Sequence, residues 1–501
     1  MSEINTALNP FKKLAGDTAI YGMSSIVGRF LNWALAPYYT FVFGTEEFAV
    51  VTNLYAYVAF FLVFLTYGME TAYFRYASKS KDPETVYSTS LISLFFTSIS
   101  FVILAVTFSR PVASVIGYPD YPQYIVWLAI ILSIDAFTAI PFARLRLNNR
   151  PVKFAVIKII NIAFNIAFNL FFLTISPKIY ESSPDSFIKY VYSPDIGVGY
   201  VFISNLLASV IILILLLPEI FKIKFRFSNA QFMQMLSYAF PILVVGLAGM
   251  VDQNIDKILI PFLIPESQNP MHQLGVYGAN YKLAVLMNMF IQAFRYAFEP
   301  FFFSREKSKD DPGVYADIMK YFVVFGLFIF LGMILFIDVI KIIIDREYHE
   351  GLKVVPLVLL ANLFFGIYFA LSLWYKLLDM TRYGAYIALT GAAFSLALNF
   401  MLIPEWGYMG SAVAVLISYF IMMVVSYILG QKYYPIPYDL RHIGAYFMVS
   451  LGIYAVSLFT SGMDALVKYP AHLVFLLVYV FSVYRLEKKQ ISRIFLRKKL
   501  K

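Results

Sequence analysis

Cysteine is absent from this chain of 501 residues, and charge is scarce, with Asp, Glu, Lys and Arg together making up 14%. The first absence excludes disulfides, thiolate chemistry and any cysteine metal site, and it leaves the redox compartment unread. Histidine is rare too: the four residues at 272, 349, 442 and 472 fall in loops or near the ends of apolar stretches. No Gly-Lys dipeptide occurs, which removes a Walker-type phosphate loop and with it direct use of ATP. Neither His-Glu-x-x-His nor Asp-x-Asp is found. An enzyme has little to stand on here, and no cofactor is called for.

What is present is apolar: 60% of residues are hydrophobic and 18% are aromatic, too much for a soluble domain. Stretches of the roughly 20 residues needed to span a bilayer fall near 16–38, 48–70, 87–108, 123–143, 151–175, 196–217, 233–262, 275–303, 315–340, 353–375, 383–403, 408–429, 440–461 and 469–485. The expectation is an all-α polytopic membrane protein of fourteen transmembrane helices. Loop charge supports that count, because Lys and Arg accumulate on the cytoplasmic side of a membrane. Of the forty cations, 28 fall in alternate loops and at the termini, seven fall in the intervening loops, and five lie within spans. Both termini are therefore expected to be cytoplasmic. The tail from Arg485 to Lys501 carries eight cations and suits a surface held against anionic lipid. The hydrophilic start runs into a full-length span without a small-residue cleavage pattern, so that span is expected to act as its own insertion signal.

An internal repeat organises the spans. ETAYFRYASKSKDP at 70–83 and EPFFFSREKSKDDP at 299–312 align without a gap at Glu70/Glu299, Phe74/Phe303, Asp82/Asp311 and Pro83/Pro312, an offset of 229. Asn169 and Asn399 repeat at an offset of 230. Six helices thus repeat as six. Because six is even, both halves enter from the same side, and a parallel repeat relates them about an axis along the membrane normal. The expected division is 1–222 for the first six helices, 223–430 for the second six, and 431–501 for the last two helices and the basic tail.

Leu398 to Ala412 reads LNFMLIPEWGYMGSA, which resembles the Leu-Asn-x-x-Leu-Ile-Pro-x-x-Gly-x-x-Gly-Ala-Ala stretch of polysaccharide biosynthesis proteins. Those are oligosaccharide-lipid flippases of the multidrug/oligosaccharidyl-lipid/polysaccharide exporter superfamily. Ser411 stands in place of the usual first Ala, a small-for-small change expected to matter little. The resemblance implies a V-shaped inner cavity between two lobes, lined mainly by spans one, two, seven and eight. Through it an undecaprenyl-diphosphate-linked sugar unit is turned across the membrane by alternating access.

The five cations within spans are Arg29, Lys158, Lys257, Lys282 and Arg295, and a charge in hydrocarbon snorkels, pairs or serves function. Gly22, Ser25, Arg29 and Asn32 share one helical face, with Arg29 near the midplane. Asn288, Gln292, Arg295 and Glu299 form the best polar stripe in the chain. A guanidinium fork matches phosphate oxygens, so Arg29 and Arg295 are candidate diphosphate ligands, with Asn32, Asn288 and Gln292 beside them. The alternatives are an interhelical salt bridge for Arg29 and simple neutralisation of Arg295 by Glu299. Lys158 shares a face with Asn161, Asn165 and Asn169 and is a weaker cargo candidate, since asparagines so spaced are commonly interhelical glue. Lys282 lies off the stripe and suits snorkelling.

Asp252 and Asp256 are one turn apart with Lys257 adjacent, and Asp135 lies midway along the fourth span. These acids are candidates to couple transport to H+ or Na+; the alternative is pairing, of an aspartate with Lys257 or of Asp135 with a cation of its own lobe. The partners expected are therefore a polyprenyl-diphosphate-linked oligosaccharide, anionic membrane lipids and a coupling cation, with no nucleic acid. A cation-coupled multidrug antiporter of the same superfamily is the second reading. A membrane glycosyltransferase or ligase is the third, disfavoured by loops this short.

Overall fold

In hydrocarbon no water can take up a backbone N–H or C=O, so a chain this apolar must close its hydrogen bonds within helices or a barrel. This one uses helices. The computed structural model describes residues 27–28, 30–222, 226–305, 313–378, 380–460 and 462–499, with side chains described for all of these except 296–305 and 489–499. No strand occurs among the described residues. The protein is all-α.

By contacts the chain divides into two compact units, Met1–Ile258 and Leu259–Lys501. The first contains α1 (30–42), α2 (Thr45–Thr66), α3 (Met69–Ala77), α4 (Pro83–Thr107), α5 (Ser109–Val115) and α6 (Pro122–Leu147). It continues with α7 (Pro151–Leu170), a π-helical turn Phe171–Ile175, α8 (Ser176–Ser182), α9 (Gly199–Phe221) and most of α10 (Asn229–Leu263), inside which the division falls. The second unit contains α11 (Pro270–Leu283), α12 (Val285–Arg305), α13 (Gly313–Leu335), α14 (Ile337–Ile340) and a 3-10 stretch Arg346–Val354. After these come α15 (Val355–Leu371), α16 (Leu373–Leu377), α17 (Thr381–Trp406), α18 (Tyr408–Tyr433), α19 (Leu440–Leu458) and α20 (Ala465–Lys499).

Eleven of these elements are, among the described residues, long and apolar enough to cross a membrane: α2 with α3, α4, α6, α7 through α8, α9, α10, α13, the stretch 346–377, α17, α18 and α20. Three expected spans are not in that set. Most of the first lies outside the described residues. The eighth is broken at Ala284 into α11 and α12, and α19 carries Arg441 and His442 in its first turn.

Helix starts follow local chemistry. Proline, which has no N–H to satisfy, opens α4, α6, α7 and α11, and the side chains of Asp82, Asn269 and Asp439 accept from the amides of Thr85, His272 and His442. Between α2 and α3 the chain turns through left-handed Tyr67 and Gly68 (φ +33° and +71°). Gly68 is required there twice over, since a Cβ would stand 2.9 Å from the Ala239 carbonyl oxygen of α10.

In the first unit α6 packs against α4 and α9, and α7 against α9. Met69, Tyr73, Tyr87, Leu91, Ile140 and Met235 form a core there. In the second, α18 packs on α15 and α17 around Trp374, Ile387, Val415 and Tyr419. A cation counted with the preceding loop, at the edge of the expected span 315–340, is also in this interior: Lys320 lies in α13 and is 2% exposed, bonded to Glu487 of α20 at 2.9 Å. Glu487 takes a second bond from the Tyr446 hydroxyl of α19 at 2.5 Å.

Candidate functional site

The polar stripe of the eighth span sits on α12, which starts afresh after the break at Ala284. Asn288, Gln292 and Arg295 are half-buried along one face of it. The Arg295 guanidinium lies over the Phe369 ring of α15, 3.8 Å from its centroid. A second cation reaches the same ring. The Lys376 ammonium of α16 is 4.7 Å from that centroid, brought back toward it because the chain between α15 and α16 turns at Ser372, whose hydroxyl bonds the Phe369 carbonyl at 2.6 Å. Each cation is attracted by the ring's negative face, by about 0.5–2 kcal/mol depending on desolvation. The ring thus gathers two positive charges that repel one another. Hydropathy assigns Lys376 to a loop, and no motif in the sequence marks it. Lys282, at the end of α11, is exposed, as a snorkelling side chain is.

In the first unit the structure brings together residues scattered over four helices. Asp135 of α6 accepts a bond from the Ser209 hydroxyl of α9 at 3.1 Å and lies in the field of Lys158 of α7. Lys158 in turn stands 4.1 Å over the Phe142 ring of α6. Asn205, one turn from Ser209, donates to the Tyr55 hydroxyl of α2 at 2.9 Å, and Tyr55 is a further electrostatic neighbour of Asp135. Tyr55, Asn205 and Ser209 were not singled out by sequence, since a lone hydroxyl or amide in an apolar stretch carries no pattern. Beyond Lys158, Asn169 bonds the Asn165 carbonyl at 2.8 Å and accepts from the Tyr39 hydroxyl of α1 at 2.8 Å, which is interhelical glue.

The acids of α10 divide. Asp256 is 1% exposed and holds the Lys257 ammonium at 2.9 Å and 3.0 Å. The same ammonium also donates to the Gln253 carbonyl at 2.9 Å. This is the pairing alternative, realised for Asp256. The Lys257 carbonyl has lost its usual helical donor because residue 261 is proline. The Asn53 side chain of α2 supplies the replacement at 2.8 Å and is itself bonded by the Tyr118 hydroxyl at 3.0 Å. Asp252, one turn away, is buried as well.

The first-span candidates are less fully placed. Arg29 lies outside the described residues, as does the side chain of Glu299. Asn32 is on α1 and exposed.

Residues 14–306 match the family described as polysaccharide biosynthesis protein. The chain belongs to that family. The match ends before the hairpin from Leu398 to Ala412, yet the hairpin shows in physical terms why such a polysaccharide-biosynthesis stretch has its residues. Gly407 is left-handed (φ +56°), and a Cβ on it would fall 2.2 Å from the Gln273 amide oxygen; one on Gly410 would fall 2.2 Å from the Leu402 carbonyl oxygen. At Gly410 only hydrogen fits between α17 and α18, because the opposing atom is backbone, whereas Gly407 is required by its positive φ. Asn399 bonds the Ser395 carbonyl at 2.7 Å, the same back-bond as its repeat partner Asn169. Ser411 is more than a small residue, because its hydroxyl donates to the Asn399 side chain at 2.9 Å.

The family member's fold is shared with solved transporters. A lipid II flippase MurJ, in an inward closed conformation, superposes with a TM-score of 0.73 at 15% identity, covering 93% of this chain and 98% of that one. An inward-facing multidrug resistance MATE family transporter of the MOP superfamily gives 0.64 at 12% identity, over 83% and 94%. The MATE multidrug transporter DinF-BH gives 0.59 at 17% identity, over 84% and 95%. No curated protein matches the chain by sequence.

Proposed function

We propose that this polysaccharide biosynthesis protein is a flippase that moves a polyprenyl-diphosphate-linked oligosaccharide from the inner to the outer leaflet of the bacterial cytoplasmic membrane, for assembly of a surface polysaccharide such as O-antigen, capsule or exopolysaccharide. The observation that carries this reading is the gathering of Arg295 and Lys376 on Phe369. A diphosphate crossing hydrocarbon loses its water and needs fixed positive charge, which acts more strongly in a low dielectric. Arg295 offers a planar fork to two phosphate oxygens and Lys376 a point charge. Asn288 and Gln292, on the face of α12 that carries Arg295, supply amide donors and acceptors for sugar hydroxyls. Arg29 and Asn32 are a second set of contacts under the same proposal. Lys158, placed beside Asp135, serves the cargo less directly. Coupling to H+ or Na+ is assigned to the acids of α10 and α6, Asp252, Asp256 and Asp135.

The test is transport of a fluorescent polyprenyl-diphosphate saccharide in proteoliposomes. Arg295→Gln is expected to lower the rate by about tenfold or more, and Arg295→Lys to recover only part, because an ammonium cannot make the bidentate contact. Wild-type rates in both variants would sink the role of Arg295. A multidrug antiporter is the second reading, favoured by the buried acids. Ion-driven efflux of a cationic dye that is indifferent to Arg295→Gln and abolished by Asp252→Asn would establish it instead.

A further inference from the structure

The rim of the first unit where α6 and α9 end and α7 begins has a charge arrangement that the cargo site does not use. Arg144 is held by Glu84 at 2.7 Å and 2.9 Å, and Arg146 is ion-paired with Glu70. Three further cations share one acid. Lys153, Arg150 and Lys222 stand 2.5 Å, 3.6 Å and 3.9 Å from the same oxygen, Oε1 of Glu219. Three positive charges around one carboxylate leave an excess of two within a few ångströms.

The layering gives that excess a direction. The Glu219 side chain is 4% exposed, while those of Lys153, Arg150 and Lys222 are 35%, 52% and 59% exposed. The acid is beneath and these three cations are outside it, so what they present outward is positive, while the exposed acids of the rim, Glu84 and Glu70, are held by Arg144 and Arg146. Helix polarity explains only part of it. Cations at the C-terminal ends of α6 and α9 complement the helix dipole, and Arg144 and the Tyr87 hydroxyl satisfy the end carbonyl of Glu219 at 3.1 Å and 3.2 Å. Arg150 and Lys153, however, lie at the N-terminal end of α7, where the dipole disfavours positive charge and favours an anion. Directly along α7 the surface turns apolar: Val152, Val156 and Ile159 are exposed.

We infer that Arg150, Lys153 and Lys222 form a binding site for the phosphodiester of an anionic phospholipid, with the acyl chains lying along Val152, Val156 and Ile159. A positive rim bordered by an exposed apolar stripe matches a phosphate headgroup on its hydrocarbon, at the depth where helices leave the bilayer. The site does not depend on the identity of the cargo, and the cations it uses are not those of α12 and α16.

The experiment uses the full-length protein in a neutral detergent, with bound lipid counted by native mass spectrometry during titration with short-chain phosphatidylglycerol, phosphatidylcholine or farnesyl diphosphate. Phosphatidylglycerol is expected to bind more tightly than phosphatidylcholine. Its affinity should fall by about fivefold per cation neutralised in the series Arg150→Gln, Lys153→Gln and Lys222→Gln. Glu219→Gln should tighten it by a similar factor, because it removes the acid beneath the cations, and this variant decides the matter if the triple one does not fold. Equal affinity for the two phospholipids, or no tightening in Glu219→Gln, overturns the inference. So does a triple variant that loses farnesyl diphosphate and keeps phosphatidylglycerol at wild-type affinity, an outcome that assigns the cations to the diphosphate of a lipid-linked cargo.

Discussion

Between α17 and α18 the fit is set by single atoms. Gly410 faces the Leu402 carbonyl so closely that Gly410→Ala must push the two helices apart. Overpacking of this kind costs about 1–3 kcal/mol. The melting temperature of the purified protein, followed by size-exclusion fluorescence, is expected to drop by several degrees. Ser411→Ala one residue later leaves the packing intact and removes only the bond to Asn399. Interhelical hydrogen bonds in membranes average about 0.6 kcal/mol, so that variant should melt near wild type. A reversed order, with Ser411→Ala the more damaging, would mean that the hydrogen bond and not the close approach holds the hairpin. The sequence pattern showed where the glycines are. It did not show that Ser411 is bonded, because a hydroxyl and a methyl of similar size occupy the same place in a pattern of small residues.

At the scale of elements, α20 is fastened along its length to α13 and its neighbours. Near one end Lys468 meets Asp338 at 2.5 Å and His472 meets the Leu335 carbonyl at 2.5 Å; the Tyr479 hydroxyl bonds the Val324 carbonyl at 2.9 Å; near the other, Glu487 meets Lys320. Removing one member of a buried ion pair leaves a charge without its counterpart and costs about 3–5 kcal/mol, whereas replacing both with apolar residues is often neutral. Lys320→Met alone is therefore expected to lower the melting temperature strongly and Glu487→Leu alone less, because Asp317 stands 3.6 Å from the Lys320 ammonium, and Lys320→Met with Glu487→Leu to recover most of the loss. A double variant as unstable as the sum of the singles would refute the pairing. The opposite fastening should depend on pH. Bonds from Lys341 and Lys468 hold the Asp338 carboxyl below the usual carboxylate range. A depressed value means stability that is present above the unfolded value near about 4 and is lost as pH falls through the folded one. Melting temperature should thus fall in acid for the wild type and fall less for Asp338→Asn. Sequence could not place these contacts: Lys320 sits at the edge of an apolar stretch and counts with the preceding loop, and its partner is 167 residues away. The break at Ala284 escaped for a related reason, since no proline or glycine marks it. The helices themselves were legible because the bilayer demands about twenty apolar residues of each.

On the scale of the whole molecule, the sequence carries an excess of ten positive charges, and the expected topology puts most of its Lys and Arg on one side. The alternation of Lys and Arg from loop to loop holds only if each expected span crosses, including the one interrupted at Ala284 and the short α19. Missing either would reverse every loop beyond it. The absence of cysteine makes this directly testable, because a single introduced thiol has no background to compete with. Ser80→Cys, Asn149→Cys, Ser228→Cys and Tyr434→Cys lie in loops expected inside; Gly117→Cys, Ser183→Cys, Asn269→Cys and Asp464→Cys lie in loops expected outside. In intact cells a membrane-impermeant maleimide should label the second group and spare the first until the membrane is opened. The informative positions are those that follow the two irregular segments. If the α11–α12 pair only dips into the membrane, Tyr434→Cys becomes reactive from outside; if α19 does not cross, Asp464→Cys is protected while Tyr434→Cys stays protected as well. Labelling in the expected alternation at all eight positions would fix the third to seventh crossings and the thirteenth, and would require an odd number of crossings between Asn269 and Tyr434, as the five expected spans there give. If all five of those spans cross, the Phe369 cations lie on the inner half of the membrane, the side on which the proposed lipid-linked cargo is loaded.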